Sequence, residues 1–209
     1  MKPLKIDLYT DIVCPWCFIG LHRLDKVLAE RFPDLAVDIE HHPVILMPDC
    51  PPEGLKIDDL LRGRPGAADR LPRLKAEADA SGLAVDFSRQ AFTYPTIGAH
   101  TLIRLARSRG TQHALVAAFV SAHFRDALNV SDPDVLADIA ASDGFDRAEA
   151  KRLSQDPTEQ AKTQSEAAHS RVQGVSTVPH FVFAGISVQG GRQEADLATA
   201  IQRALSTHI

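Results

Sequence analysis

Apolar and polar positions alternate at the start of the chain, with Leu4, Ile6 and Leu8 set against Lys5, Asp7 and Tyr9. A period of two with one richer face predicts a half-buried strand over residues 4–9. The period then changes. Leu21, Leu24, Val27 and Leu28 keep helical spacing to about Arg31, where Pro33-Asp34 stops the helix. Leu35, Val37 and Ile39 alternate with Ala36, Asp38 and Glu40, which predicts a second strand ending near His41-His42-Pro43. The helix between these strands predicts that they run parallel, because a crossover returns the chain in the same direction.

Residues 44–65 are punctuated by Pro48, Pro51, Pro52, Gly54, Gly63 and Pro65 and read as a loop with one short helix at 57–62. Helical patterning dominates residues 66–156. It gives segments from Ala67 to Ala80, Thr96 to Ser108 and Thr111 to Leu128, the last with Leu115, Phe119, Ala122 and Phe124 on a broad apolar face. Ser131-Asp132-Pro133 supplies a cap and a first-turn proline for a helix over 133–142, and Asp146 caps another that ends near Ser154. Asp156-Pro157 opens a polar helix running to about Gln173, with Gly174 as its stop. His180–Phe183 and Ile186–Gln189 flank a Gly185 turn as a hairpin, and Leu197, Ile201 and Leu205 mark a final helix after Gly190-Gly191. The order is β-α-β, a helical block, then α-β-β-α, with no internal repeat.

The 209 residues fit one domain with an insertion. At 44% hydrophobic and 24% charged, the chain is globular in composition and large enough to bury roughly 70% of its unfolded surface. Its 23 basic and 27 acidic residues give a net charge of −4. With no block of about five like charges, nucleic acid is not an expected partner. No apolar run reaches the roughly 18 residues of a membrane span. Met1–Tyr9 reads as a strand rather than a secretory leader, which predicts a cytoplasmic protein.

The chemistry concentrates in Cys14-Pro15-Trp16-Cys17. Cys14 falls at the mouth of the first helix, where free amides and the helix dipole favour a thiolate. Cys17 follows one turn later. Pro15 suits the first turn because the amide it lacks would be unpaired there, and Trp16 is expected to cover the site and offer a partner an apolar contact. Thiol–disulfide exchange is the chemistry this pair favours, with Cys14 attacking and Cys17 resolving the mixed disulfide. Half of a zinc site and an inert packed pair are the alternatives. Zinc wants about four ligands, and Cys50 offers no second knuckle, so no metal is expected.

Pro179, just before an apolar strand, is a candidate cis-proline facing that helix mouth, with Val178 offering its backbone to an extended partner. Asp11 is read as bonding the turn before Cys14 rather than relaying a proton. His22 is placed in solvent, and His41-His42 lacks a third metal ligand. His100, among Leu102, Ile103 and Leu105, is read as a packed, hydrogen-bonded side chain rather than a base. His123 and Phe124 are read as structural.

Strand, C-P-W-C at a helix start, helical block, then V-P before a hairpin and last helix: this order resembles the thioredoxin fold with a large all-helical insertion, an α/β class. More narrowly the chain resembles the DsbA-like, FrnE-type oxidoreductases. The residues that carry the likeness are Asp11–Gly20, Pro48–Gly54, Ala99-His100, Ser131–Ala137 and Gly174–Pro179. The resemblance implies a thioredoxin-like core of residues 1–43 and 157–209 around an inserted helical domain of residues 44–156. It implies Cys14 as nucleophile, Cys17 as resolving thiol and Pro179 as cis-proline; Pro15, Trp16, Val178 and Pro179 are the expected substrate contacts. No cofactor is required, glutathione is admitted as a ligand, a disulfide- or thiol-containing protein or small molecule is the partner, and a homodimer is the assembly admitted. Tyr94-Pro95-Thr96 departs from the family's usual Asn-Thr ahead of Ala-His. Cys50 stands where an apolar residue such as Met is expected, and is read as a buried filler. The same architecture resembles 2-hydroxychromene-2-carboxylate isomerases and kappa-class glutathione transferases. These typically carry Ser at the first cysteine, so a glutathione-dependent isomerase or transferase is the alternative reading.

Overall fold

The computed structural model describes residues 2–207. Strand β1 (Leu4–Thr10) leads into helix α1 (Pro15–Arg31) and strand β2 (Val37–Pro43), and β1 and β2 pair in parallel with Leu4 opposite Val37 and Thr10 opposite Pro43. Far along the chain β5 (His180–Phe183) pairs antiparallel with β1, and β6 (Ile186–Gln189) pairs antiparallel with β5. The mixed sheet therefore runs β2-β1-β5-β6. It is a DsbA-like thioredoxin fold, α/β with a helical insertion, as the order of elements predicts.

The alternation in β1 is realised in burial. Leu4, Ile6, Leu8 and Thr10 are buried while Lys5, Asp7 and Tyr9 are half-buried. Ile6 and Leu8 share a core with Ile19 and Leu24 of α1, Phe181 and Phe183 of β5, and Leu197 and Ile201 of α9 (Glu194–Thr207). The opposite face carries Asp7 and Tyr9 beneath helix α8 (Pro157–Val172), whose buried residues are the small Thr163, Ala167 and Ser170. A helix with so little apolar surface fits a sheet face that is itself polar.

Between β2 and α8 the chain forms a two-stranded ribbon, β3 (Leu55–Lys56) with β4 (Phe92–Thr93), and helices α2 (Ile57–Leu61), α3 (Arg70–Ala80), α4 (Ile97–Ala106), α5 (Gln112–Phe124), α6 (Pro133–Ala141) and α7 (Arg147–Ser154). The predicted caps are present: Asp132 accepts from Asp134 N at 2.8 Å, Asp146 from Glu149 N at 2.9 Å and Asp156 from Thr158 N at 2.9 Å. Gly174 ends α8 at φ +86, a backbone conformation that other residues adopt at a cost. Two expectations change. The helix expected to reach Leu128 stops at Phe124, with Ala127 at φ 54 just beyond it. The ribbon β3–β4 has no counterpart in the expected elements, because two residues per strand leave no period to read.

His123 lies buried on α5. Phe92 N–H donates to Gln90 Oε1 at 3.0 Å, which orients that amide so its nitrogen donates to His123 O at 2.9 Å and faces His123 Nδ1 at 3.2 Å. Burial holds the imidazole down to about 4 from its ordinary 6.5. An unfolded chain binds that proton below about pH 6.5 and the fold only near pH 4, so acidification through this window should remove stability, by up to about 3 kcal/mol. His41 and His180 are lowered by burial in the same sense. Urea unfolding at a series of pH values should show a falling midpoint, with a shallower fall in His123→Gln. Equal slopes for the two proteins would refute the assignment.

Candidate active site around Cys14 and Cys17

Cys14 is the N-cap of α1 in extended conformation (φ −90, ψ 112), and Pro15 occupies the first helical turn. Backbone bonds from Cys14 N to Asp11 O at 3.2 Å and from Cys17 N to Cys14 O at 3.0 Å fix the turn. The helix thus starts where the proline permits, and the two thiols fall one turn apart. Both cysteines are free and largely buried, Cys14 at 6% exposure and Cys17 at 1%. Burial pushes the Cys17 thiol well up, and its hydrogen bond and charge contact with Cys14 push the same way, while its bond with the Asp11 backbone opposes them. Cys17 is the thiol kept protonated.

Helix α1 packs Gly20 against the loop before β5. A Cβ at Gly20 would lie 2.7 Å from Pro179 Cγ and 3.1 Å from Phe181 Cζ, so only glycine lets this loop approach the helix so closely. The Val178–Pro179 peptide bond is cis, and Pro179 O accepts from Gly190 N at 2.8 Å. Trp16 is half-buried against the 190–192 loop: a Cβ at Gly191 would lie 2.6 Å from Trp16 Cε3. On its other side the Arg73 guanidinium stands 5.1 Å from the ring centroid, and Arg125 stands 5.6 Å from the ring of Phe18.

The Asp11 carboxylate does not bond the local turn, contrary to expectation. It is fully buried and reaches across the molecule, with Oδ2 accepting from Leu46 N at 2.8 Å and Oδ1 lying 3.2 Å from His100 Nε2. His100 is packed as expected, and its partner is the residue three places before Cys14. His22, placed in solvent by its position on α1, is half-buried with Nε2 at 3.0 Å from Ser81 O. The adjacent Arg23 gives no signal in the sequence at all. Its side chain is 1% exposed and binds Ser81 Oγ at 2.7 Å, Arg192 O at 3.0 Å, Gly191 O at 3.3 Å and Glu77 Oε2 at 2.6 Å. A charged residue at one helical position carries no sign that a counter-ion 54 residues on will meet it.

The other singled-out residues lie elsewhere. Cys50 is buried, its Sγ donating weakly to Thr93 O at 3.7 Å, and burial raises its thiol. His41 Nε2 meets His113 Nδ1 at 2.9 Å, and His113 Nε2 meets Asp25 Oδ1 at 2.8 Å. Donor atoms of Asp7, Glu40 and His42 lie within 4.8 Å of one another, which supplies the ligands that His42 lacks in the sequence pattern. They are already engaged: the Lys5 ammonium bonds Glu40, and His42 Nε2 lies 2.8 Å from Asp7 Oδ1.

The sheet order, the free cysteine pair at the head of α1 and the proline loop packed on Gly20 define a thioredoxin-like fold. The chain belongs to the DSBA-like thioredoxin domain family, whose profile matches residues 5–202. A probable DsbA oxidoreductase from Streptomyces coelicolor shares 27% identity and a TM-score of 0.84, over 97% of this chain and 90% of its own. A 2-hydroxychromene-2-carboxylate isomerase shares the fold at 17% identity and TM-score 0.75, covering 98% of this chain and 97% of its own. The cytosolic disulfide reductase DsbM from Pseudomonas aeruginosa with GSH shares it at 18% identity and TM-score 0.66, covering 98% of each chain. Among the described residues no helix is long and apolar enough to cross a membrane.

Proposed function

We propose that this protein is a thiol–disulfide oxidoreductase of the FrnE type, with Cys14 as the attacking thiolate and Cys17 as the resolving thiol. The observation that carries the reading is the arrangement of the pair. One thiol belongs to the N-cap residue at the mouth of a 17-residue helix, where the dipole favours an anion, and its buried partner one turn deeper is kept protonated by burial. In the reductive direction Cys14 Sγ attacks one sulfur of a substrate disulfide, forming a mixed disulfide and releasing the other sulfur as a thiolate that takes up a proton. Cys17 then loses its proton and attacks Cys14 Sγ. The second substrate thiol leaves, and two electrons have passed from the pair to the substrate. The reverse sequence oxidises a dithiol. The proton that Cys17 gives up is taken up by the departing substrate thiolate.

Pro15, Trp16, Val178 and Pro179 form the substrate contacts in this reading, with the Val178 backbone pairing with an extended partner. The proposal places residues 1–43 and 157–209 in the thioredoxin-like unit and 44–156 in the insertion, and it puts the protein in the cytoplasm. It requires no cofactor. Glutathione is the thiol proposed to complete a cycle, a choice supported by the fold shared with the DsbM disulfide reductase, whose structure is known with GSH. In the test, reduced wild-type protein turns over a model disulfide with added thiol, and Cys14→Ser lowers turnover by at least about a thousandfold. Retained turnover in that variant would sink the reading. The fold shared with 2-hydroxychromene-2-carboxylate isomerase supports a second one, a glutathione-dependent isomerase or transferase, whose mark would be saturable glutathione-dependent activity surviving loss of Cys17.

A further inference from the structure

Beside Trp16 the surface opens into two adjoining cavities of about 400 and 390 Å³, which share Leu61, Ala67 and Arg70 in their walls. The first is lined by Trp16, Arg64, Arg70 and Arg73, and the second runs from Arg70 past Asp58 to Phe87 and Gln90. Joined through these shared walls, they make one trough that starts at Trp16, two residues from Cys14, with room for several residues of a peptide.

The charges along this trough are unevenly matched. Among the described residues Arg64, Arg70 and Arg73 have no carboxylate within ion-pair distance, although most other arginines of the insertion do: Arg62 pairs with Asp59, Arg104 with Glu159, Arg109 with Glu149 and Arg147 with Asp138. The acids nearby are Asp58 and Asp69 in the walls, with Glu77 committed to Arg23. Arg70 is half-buried, and partial loss of water lowers its guanidinium from the usual range while Cys14 and Asp58 act in the opposite sense from a distance. A half-desolvated guanidinium without a direct partner leaves a fork of donors for a carboxylate. Arg73 is oriented by its stack on Trp16, so the second cation stays beside the first.

We infer that the Arg64–Arg70–Arg73 trough selects protein substrates carrying acidic residues next to the cysteine that reacts with Cys14. This names the substrate class of the proposed redox site and rests on that reading. An acidic flank would lie along the trough with a carboxylate on Arg70 and another on Arg73, which brings its cysteine to the mouth of α1. Charge attraction of this kind acts chiefly on the rate of association and weakens with salt.

The experiment uses three synthetic peptide disulfides that differ only in the residues flanking the cystine: glutamates, serines or lysines. Each is mixed with the reduced full chain, and the second-order rate is followed by fluorescence of Trp16, the single tryptophan. The expected order is glutamate, serine, lysine, with at least about a tenfold ratio between the ends at low salt that shrinks as salt is added. Arg70→Gln/Arg73→Gln should bring the ratio to within about twofold of unity, whereas Arg203→Gln, an exposed charge on α9, should preserve it. Because the ratio is taken within one protein, any effect of the variants on Cys14 itself cancels. Reaction with the serine peptide but no charge preference, or a preference surviving the double variant, overturns the trough alone. Failure of all three peptides to react overturns the redox reading and the trough with it.

Discussion

Reduced Cys17→Ser protein mixed with excess disulfide should accumulate one covalent adduct per chain, attached at Cys14, with no internal disulfide. In the wild type that adduct is short-lived, because Cys17 sits one helical turn away and attacks as an intramolecular group. Well-placed intramolecular groups reach effective concentrations of about 10⁵ M or more, far beyond any added thiol. Serine keeps the size of the side chain but cannot displace a disulfide sulfur, so release should slow by at least about a thousandfold. The Cys50 thiol is raised and stands away from any helix mouth, so it should add little background, and Cys50→Ala on top of Cys17→Ser should give the same adduct. Peptide mapping by mass spectrometry after acid quench decides the matter. An adduct at Cys50, or release as fast as in the wild type, would mean that the pair does not divide attack and resolution as proposed.

Arg23→Ala should destabilise the protein by about 3 kcal/mol, the lower part of the range for breaking a buried ion pair. The wild-type guanidinium satisfies Ser81 Oγ, the carbonyls of Glu77, Gly191 and Arg192, and the Glu77 carboxylate, with its own side chain 1% exposed. Removing it leaves those acceptors facing an empty space in which water replaces some bonds but not their geometry. Glu77 is 28% exposed and regains solvent, which holds the loss to the lower figure. Arg23 holds Gly191, and Gly191 bears on Trp16, so the effect should extend to the proposed redox site. Emission from Trp16 should shift in the folded variant, and urea unfolding should show the loss of stability. Lys should recover less than half of the loss, since one ammonium cannot reach acceptors on three sides. A loss below about 1 kcal/mol with unchanged emission would show that the loop holds itself without Arg23.

Particular residues show how far reading by position goes. Cys14 and Cys17 are legible because their chemistry is local: a proline at the first helical turn and two thiols one turn apart need only the helix to be arranged. Pro179 is legible because a proline ahead of an apolar strand is itself unusual. Asp11 stands out in the sequence but with the wrong partner, since its carboxylate bonds residues 46 and 100, which no local pattern connects to it. Arg23 escapes notice for the same reason, and so does the trough. Arg64, Arg70 and Arg73 read as an ordinary polar helix start until α3 is seen beside α1.

By itself the sequence determined the succession of strands and helices, the parallel start, the caps at Asp132, Asp146 and Asp156, and the placing of Cys14 and Cys17 one turn apart at the head of a helix, because hydrophobic period, capping and helix polarity act over a few residues. Only the tertiary structure decided which buried charges meet. It set Asp11 against His100, Arg23 against Glu77 and Gly191, and left Arg70 without a direct partner beside α1. Those pairings span tens of residues to well over a hundred, and their energies depend on how much water packing removes. That quantity exists only once the chain has closed on itself.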